Sequence, residues 1–217
     1  MNDPDLDFFR ERLAKATVCS TVLDETDRNL AAFRSQRDII DWYGQPPAPD
    51  GTPYRDRGFY VRELAHLSRI IQPRTVVEFG TSLGVGTCLL RWLNPTAEIV
   101  TVDIARMTSL PNGQTVPIGW LAKRQVLLYT QRIANSATYE HPGVDLCLID
   151  GDHGYEAVAA DSVRAWENRA RDHAWAICWH DHNVRHPGVQ RAVAEFCHQQ
   201  GVMLQSREDS DTVWITG

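Results

Sequence analysis

The sequence lacks any apolar run approaching the roughly 18 residues that cross a bilayer. Its opening stretch, MNDPDLDFFRER, is acidic and has no apolar core of the secretory type. A soluble, cytoplasmic protein with no membrane partner is expected. Positive charge is scarce as well: 22 Lys and Arg stand against 28 Asp and Glu, a net −6 at pH 7. That removes the general attraction which brings proteins to nucleic acids or anionic lipids. Paired cysteines are missing too. The five present (Cys19, Cys88, Cys147, Cys178, Cys197) are odd in number, widely spaced and form no C-x-x-C, so they read as buried thiols in a reducing compartment. There is no internal repeat and no low-complexity tract.

What is present is 43% apolar residues over 217 positions, enough for one core and an appendage. Tyr43 to Gly58 (YGQPPAPDGTPYRDRG) packs four prolines and three glycines into a polar stretch, which reads as a loop. Residues 5–16 and 26–42 have helical composition. Residues 1–56 are therefore read as a helical cap ending in a proline-rich loop, and 57–217 as the main domain. There, apolar strands alternate with amphipathic helices, the pattern of a parallel sheet with crossover helices. The expected strands are Thr75–Phe79, Glu98–Val102, Gln125–Thr130, Asp145–Ile149 and Ala174–Trp179. Gly154–Arg169 carries Tyr155, Val158, Ala159, Ser162, Val163 and Trp166 on one helical face, and Pro187–Gln200 is a second helix with Gly201 at its cap. Two last strands, Val202–Ser206 and Thr212–Thr216, flank a turn so short that they can pair only antiparallel.

Four constellations carry chemistry. In VVEFGTSLGVGT (Val76 to Thr87), Gly80, Gly84 and Gly86 permit a sharp strand-to-helix turn and close approach of a ligand to the backbone. Asp103, ending IVTVD, can accept hydrogen bonds from ribose hydroxyls over that turn. In DLCLIDGDHGYE, Asp150 closes an apolar strand, a costly place for a carboxylate without a partner or ion. Asp152 and His153 follow, Asp152 as a turn or capping residue. In AICWHDHN, His180, Asp181, His182 and Asn183 form a polar cluster. It suits a divalent cation, a histidine base oriented by Asp181, or a hydrogen-bonded corner.

EFGTSLGVGT, the strand ending in VDI, LIDGDHGYE, and WHDHN followed by PGVQRAVAEF together resemble a class I S-adenosylmethionine (SAM)-dependent methyltransferase. Within that class the chain is most similar to the family-24 group, related to the macrocin, rhamnosyl and catechol-type O-methyltransferases. The resemblance spans Arg57 to Gly217. It implies a Rossmann-like, doubly wound, mostly parallel seven-stranded sheet with a C-terminal antiparallel hairpin. It also implies SAM as cofactor, its methionine part against Glu78, Gly80, Thr81, Ser82 and Gly86 and its ribose on Asp103. Asn135 and Ser136 (in YTQRIANSA) stand where the family has a Gly-Asp-Ser-like adenine element. In metal-dependent members magnesium is held by positions falling here on Asp150, Asp181 and one or both of His180 and His182. His180-Asp181-His182-Asn183 departs from the usual acidic pair, which leaves open whether a metal is bound, and whether it is Mg2+ or another divalent ion.

The expected reaction is methyl transfer to a hydroxyl of a small-molecule acceptor (sugar, phenol or natural product). Asp150, His153 and His180 are the catalytic candidates. The Ala105–Lys123 segment is expected to be loop-like, with Trp120 either covering the site or packing. Trp42, Tyr43 and Tyr54 could line an acceptor site, and a homo-oligomer through residues 1–56 is open. Three rivals remain: a nicotinamide-dependent oxidoreductase on a similar sheet, a metal-dependent hydrolase or hydroxylase-like enzyme built on the histidines and aspartates, and a non-enzymatic binding module that kept the fold.

Overall fold

The computed structural model describes Pro4, Asp7, Phe8, Glu11 and Arg12, and then residues 61–109, 114–124, 128–207 and 210–217. The helix over 26–42, the proline-rich loop, Cys19, Trp42, Tyr43 and Tyr54 lie outside the described residues. The five early positions are helical, spaced as one helix face, and Phe8 packs on the core.

The main sheet has seven strands: β1 (Thr75–Phe79), β2 (Glu98–Asp103), β5 (Thr130–Ile133), β6 (Leu146–Ile149), β7 (Ala176–Trp179), β8 (Gln205–Ser206) and β9 (Val213–Thr216). A separate two-stranded ribbon pairs β3 (Met107–Ser109) with β4 (Thr115–Pro117). The helices are α1 (Val61–Ile71), α2 (Val85–Leu93), α3 (Trp120–Arg124), α4 (Tyr155–Asn168) and α5 (Pro187–Gln200). Strand order is β5-β2-β1-β6-β7-β9-β8. The first five strands run parallel, while β9 pairs antiparallel with both β7 and β8. No described helix is long and apolar enough to cross a membrane.

Strands buried on both faces divide their residues alternately between two core layers. Val76, Leu146, Leu148 and Cys178 join α1 and α2 on one face. Val77, Cys147, Ile149, Ile177 and Trp179 join α4 and α5 on the other. The four described cysteines are buried and free. Burial pushes the Cys88 thiol far up its scale, so it is inert.

Within the main domain the other expected strands and helices fall in place with shifts of a residue or two at most ends, except that Val202–Ser206 shortens to Gln205–Ser206, and α5 begins at Pro187 and closes on a left-handed Gly201 (φ 66°). Three expectations are corrected. The third parallel strand starts at Thr130, not Gln125. Its register with β2 runs from Val100↔Thr130 to Asp103↔Ile133, and Leu128 is left exposed. An edge strand of sequence TQRI gives little hydrophobic signal, so the apolar run before it misled. In α4 the inward face is Val158, Asp161, Ser162 and Ala165, while Val163 points to solvent. Ser162 satisfies itself inside by donating to the Val158 carbonyl (2.6 Å) and accepting from Trp179 Nε1 (2.9 Å). Ala105–Lys123 is no loop: it holds the β3–β4 ribbon and most of α3, and Trp120 packs against the core with Arg124 over its ring.

Candidate active site

The chain runs from β1 outward through β2 to β5, then returns to β6 on the other side of β1. That reversal opens a crevice at the carboxyl ends of β1 and β6, where ligands of open α/β sheets bind. Gly80 (φ +97°) makes the junction possible. A Cβ there would lie 2.1 Å from the Asp150 carbonyl oxygen, so any side chain would push the ends of β1 and β6 apart. Gly84 (φ 90°) then starts α2.

A cavity of about 510 Å³ occupies this edge. Gly80 and Ser82 of the glycine turn, Asp103, Asn135 and Ser136 after β5, and Asp150 after β6 all line it. Asp103 anchors the turn: Oδ2 accepts from the Thr81 and Ser82 amides (3.1 and 3.0 Å), and Oδ1 from the Ala105 amide (2.8 Å). Asn135 caps a short 3-10 turn by accepting from Ala137 N at 3.0 Å. Asp161 lines the cavity too, though it was not singled out in the sequence. Burial raises its carboxyl to about 6, with Asp152 adding to the rise and a hydrogen bond from Ser136 opposing it. Its only signal was a charge inside an otherwise apolar helix face. Asp103, Asp150, Asp152, Glu156 and Asp161 thus give the wall five carboxylates, against no lysine or arginine among the described lining residues.

Three residues placed on the cofactor from the resemblance lie off this wall. Glu78 is buried in β1, where its carboxylate accepts from Thr87 Oγ1 and, at 2.7 Å, from Thr101 Oγ1. Burial raises it to about 8, helped by the charges of Asp150 and Asp103. The Thr81 hydroxyl is buried against Thr101, so Thr81 reaches the site only through its backbone. Gly86 is buried in the first turn of α2.

Beyond Asp150 the ends of β6 and β7 meet in a histidine-aspartate corner. His180 Nδ1 stands 3.1 Å from Asp150 Oδ1 and 3.2 Å from Asp181 Oδ2, and His153 Nε2 stands 2.9 Å from the same Asp181 oxygen. For His180, burial favours the neutral ring, but Asp150 and Asp181 outweigh it and hold the group well above the ordinary imidazole range. For Asp181, burial is likewise outweighed by hydrogen bonds from His153 and His180, which keep the carboxyl well below its usual range. His182 does not join this corner. Its backbone N–H donates to the Asp211 carbonyl (2.7 Å), and the ring belongs to neither group of converging ligand atoms found among the described residues. His186, at the start of α5 and not singled out from the sequence, faces Asp181 instead.

Sheet order, terminal antiparallel strands and a glycine turn beside Asp103 define a class I methyltransferase fold. Residues 77–182 match a family model described as a methyltransferase domain. Among solved structures, it is similar to the O-methyltransferase from Bacillus cereus in complex with S-adenosylhomocysteine (SAH). The TM-score is 0.55 at 14% identity, covering 83% of this chain and 89% of that one. The SAH-bound methyltransferase PaMTH1 of Podospora anserina gives 0.52 at 15% identity, over 83% and 86%. CalS11, a TDP-rhamnose 3'-O-methyltransferase of calicheamicin biosynthesis, gives 0.53 at 13%, over 83% and 91%. At such identities these likenesses speak for the fold. No curated protein matches the sequence.

Proposed function

We propose that this protein, a cytoplasmic enzyme, transfers the methyl group of SAM to a hydroxyl oxygen of a small-molecule acceptor. The cofactor lies in the cavity, its ribose on Asp103 and its adenine beside Asn135, Ser136 and Asp161. The observation carrying this reading is the charge of the wall. Five carboxylates, with no lysine or arginine among the described lining residues, suit a ligand bearing a sulfonium and an ammonium, and repel the pyrophosphate of a nicotinamide dinucleotide.

Asp150 belongs to both the cavity and the histidine-aspartate corner, so the transferable methyl and the corner's proton acceptors share one edge. In the reaction the acceptor oxygen attacks the methyl carbon, the C–S bond breaks with its electrons going to sulfur, and the acceptor proton passes to an imidazole. His153 or His180 takes that proton in its neutral form, which exists only above the raised pKa that Asp150 and Asp181 impose, so the rate should rise with pH through that range. Asp150, His180 and Asp181 also bring three ligand atoms within 4.8 Å of one another, a set of two carboxylates and one imidazole that fits a divalent cation. A cation held there would bind the acceptor oxygen and lower its pKa.

Calorimetric titration and thermal melting with SAH and with NAD test the assignment. SAH should bind and raise the melting temperature while NAD does neither. Stabilisation by NAD alone would overturn it.

A further inference from the structure

Asp181 has two flanks. One faces the corner with Asp150 and His180. The other faces His153 and His186, and there too three ligand atoms lie within 4.8 Å of one another. We propose that His153, Asp181 and His186 form a second cation site, one that takes a first-row transition-metal ion such as Co2+, Zn2+, Mn2+ or Fe2+ in preference to Mg2+.

The fold builds this grouping through a specific contact. At Gly188, in the first turn of α5, a Cβ would lie 2.6 Å from the His153 carbonyl oxygen and 2.9 Å from the Tyr155 amide nitrogen. Only a glycine lets the start of α5 sit directly on the backbone of the turn that opens α4. That seating brings the His186 ring to the His153 ring, with centroids 4.3 Å apart and planes at 34°. Asp181, in a left-handed conformation (φ 58°), turns its carboxylate between them: Oδ2 is 2.9 Å from His153 Nε2 and Oδ1 is 3.9 Å from His186 Nε2. Metal–ligand bonds near 2.1 Å place neighbouring donors roughly 3 to 3.4 Å apart, and these two separations bracket that span. Side-chain exposures of 41% for His153, 18% for Asp181 and 30% for His186 leave one side of the site open to water or an acceptor.

Donor chemistry selects the ion. Two imidazoles and one carboxylate with open positions suit borderline divalent metals, whereas magnesium favours oxygen donors and keeps its waters. The site shares His153 and Asp181 with the proposed proton-accepting corner, and only Asp181 with the Asp150–His180–Asp181 set.

The test is a Co2+ titration of the chelator-treated full-length protein, read by visible absorption and followed by competition with Zn2+ and Mg2+. Wild type should show ligand-field bands that Zn2+ displaces and Mg2+ does not. His186→Ser keeps a favoured helix-capping residue, and with His153→Ala it should weaken Co2+ at least ~10-fold, whereas Asp150→Ala should leave Co2+ binding within about threefold of wild type. SAH binding by His186→Ser, measured alongside, reports the folded methyltransferase site independently. Loss of Co2+ binding in Asp150→Ala with retention in His186→Ser would place the ion at the other flank and overturn the proposal. Equal competition by Mg2+, or no bands in wild type, would also overturn it. SAH binding separates the two readings: its loss would count against the methyl-transfer assignment, whereas the Co2+ results with SAH binding retained bear on the cation site alone.

Discussion

Glu78 gives the sharpest stability prediction. Its carboxyl is held at about 8 against 4.5 for an unperturbed glutamate, chiefly by burial and further by the charges of Asp150 and Asp103. Below 4.5 both folded and unfolded chains carry the proton. Between 4.5 and 8 only the folded chain carries it, so unfolding releases a proton and stability falls as pH rises through that window. Each unit of pKa difference is worth about 1.4 kcal/mol. Integrated from pH 5 to pH 8, the loss from this residue is about 3 to 4 kcal/mol. Glu78→Gln removes the titration and retains a carbonyl to accept from Thr87 and Thr101. Urea unfolding of both proteins at pH 5 and pH 8 isolates the effect, because every other titrating group is common to the pair. The variant should gain about 3 to 4 kcal/mol on wild type between the two pH values, whatever fixed offset the amide introduces. A stability difference that stays constant within ~1 kcal/mol would show that Glu78 is ionised in the fold and that its burial is offset by more than its two threonines.

Asp103→Asn should weaken SAH about 10- to 100-fold by calorimetry, since it removes one charged acceptor from the ribose and from the Thr81, Ser82 and Ala105 amides; unchanged affinity would refute the ribose assignment. Gly80→Ala should cost more than ~3 kcal/mol in urea unfolding, because its Cβ would collide with backbone at 2.1 Å and φ is +97°. A well-folded variant of near wild-type stability would contradict the tight β1–β6 junction. His180→Ala should lower kcat roughly 10²- to 10⁴-fold, the range for losing a general acid or base, while SAH affinity stays within a few-fold; a drop in SAH affinity without loss of kcat would put His180 in cofactor binding.

The two-layer sheet was legible because its strands are short apolar runs bounded by glycine or acidic residues, and α4 and α5 carry recognisable faces. Gly80 was legible as a turn, but its reason lies in the Asp150 carbonyl 70 residues away. What escaped depended on contacts between elements. The β5 edge strand is half-exposed and polar, so hydrophobicity pointed to the residues before it. His182 adjoins Asp181 in sequence, yet the left-handed turn at Asp181 sends the next residue's amide to the Asp211 carbonyl. His186, five residues beyond Asp181, returns to it because Gly188 lets α5 approach. The family resemblance places Glu78 beside the cofactor, and this residue precedes the glycine turn by two. In a strand that spacing gives the same face, and here that face is sealed by Thr87 and Thr101.

The cavity's acidity raises the question of how the fold holds so many carboxylates at one edge. For Asp103 and Asp152 the answer is backbone amides. Asp103 takes three, and Asp152 accepts from Gly154 N at 2.6 Å. For Asp181 it is imidazole. A lysine or arginine would stabilise any of these carboxylates more, but it would cancel the field as well. Amide dipoles lower the local cost of each charge and leave the summed negative potential of the cavity in place. Part of the chain's net charge of −6 is therefore concentrated where it can draw in a cation. The raised carboxyls of Glu78 and Asp161 follow from the same arrangement, because burial without a cationic partner leaves protonation as the cheaper state.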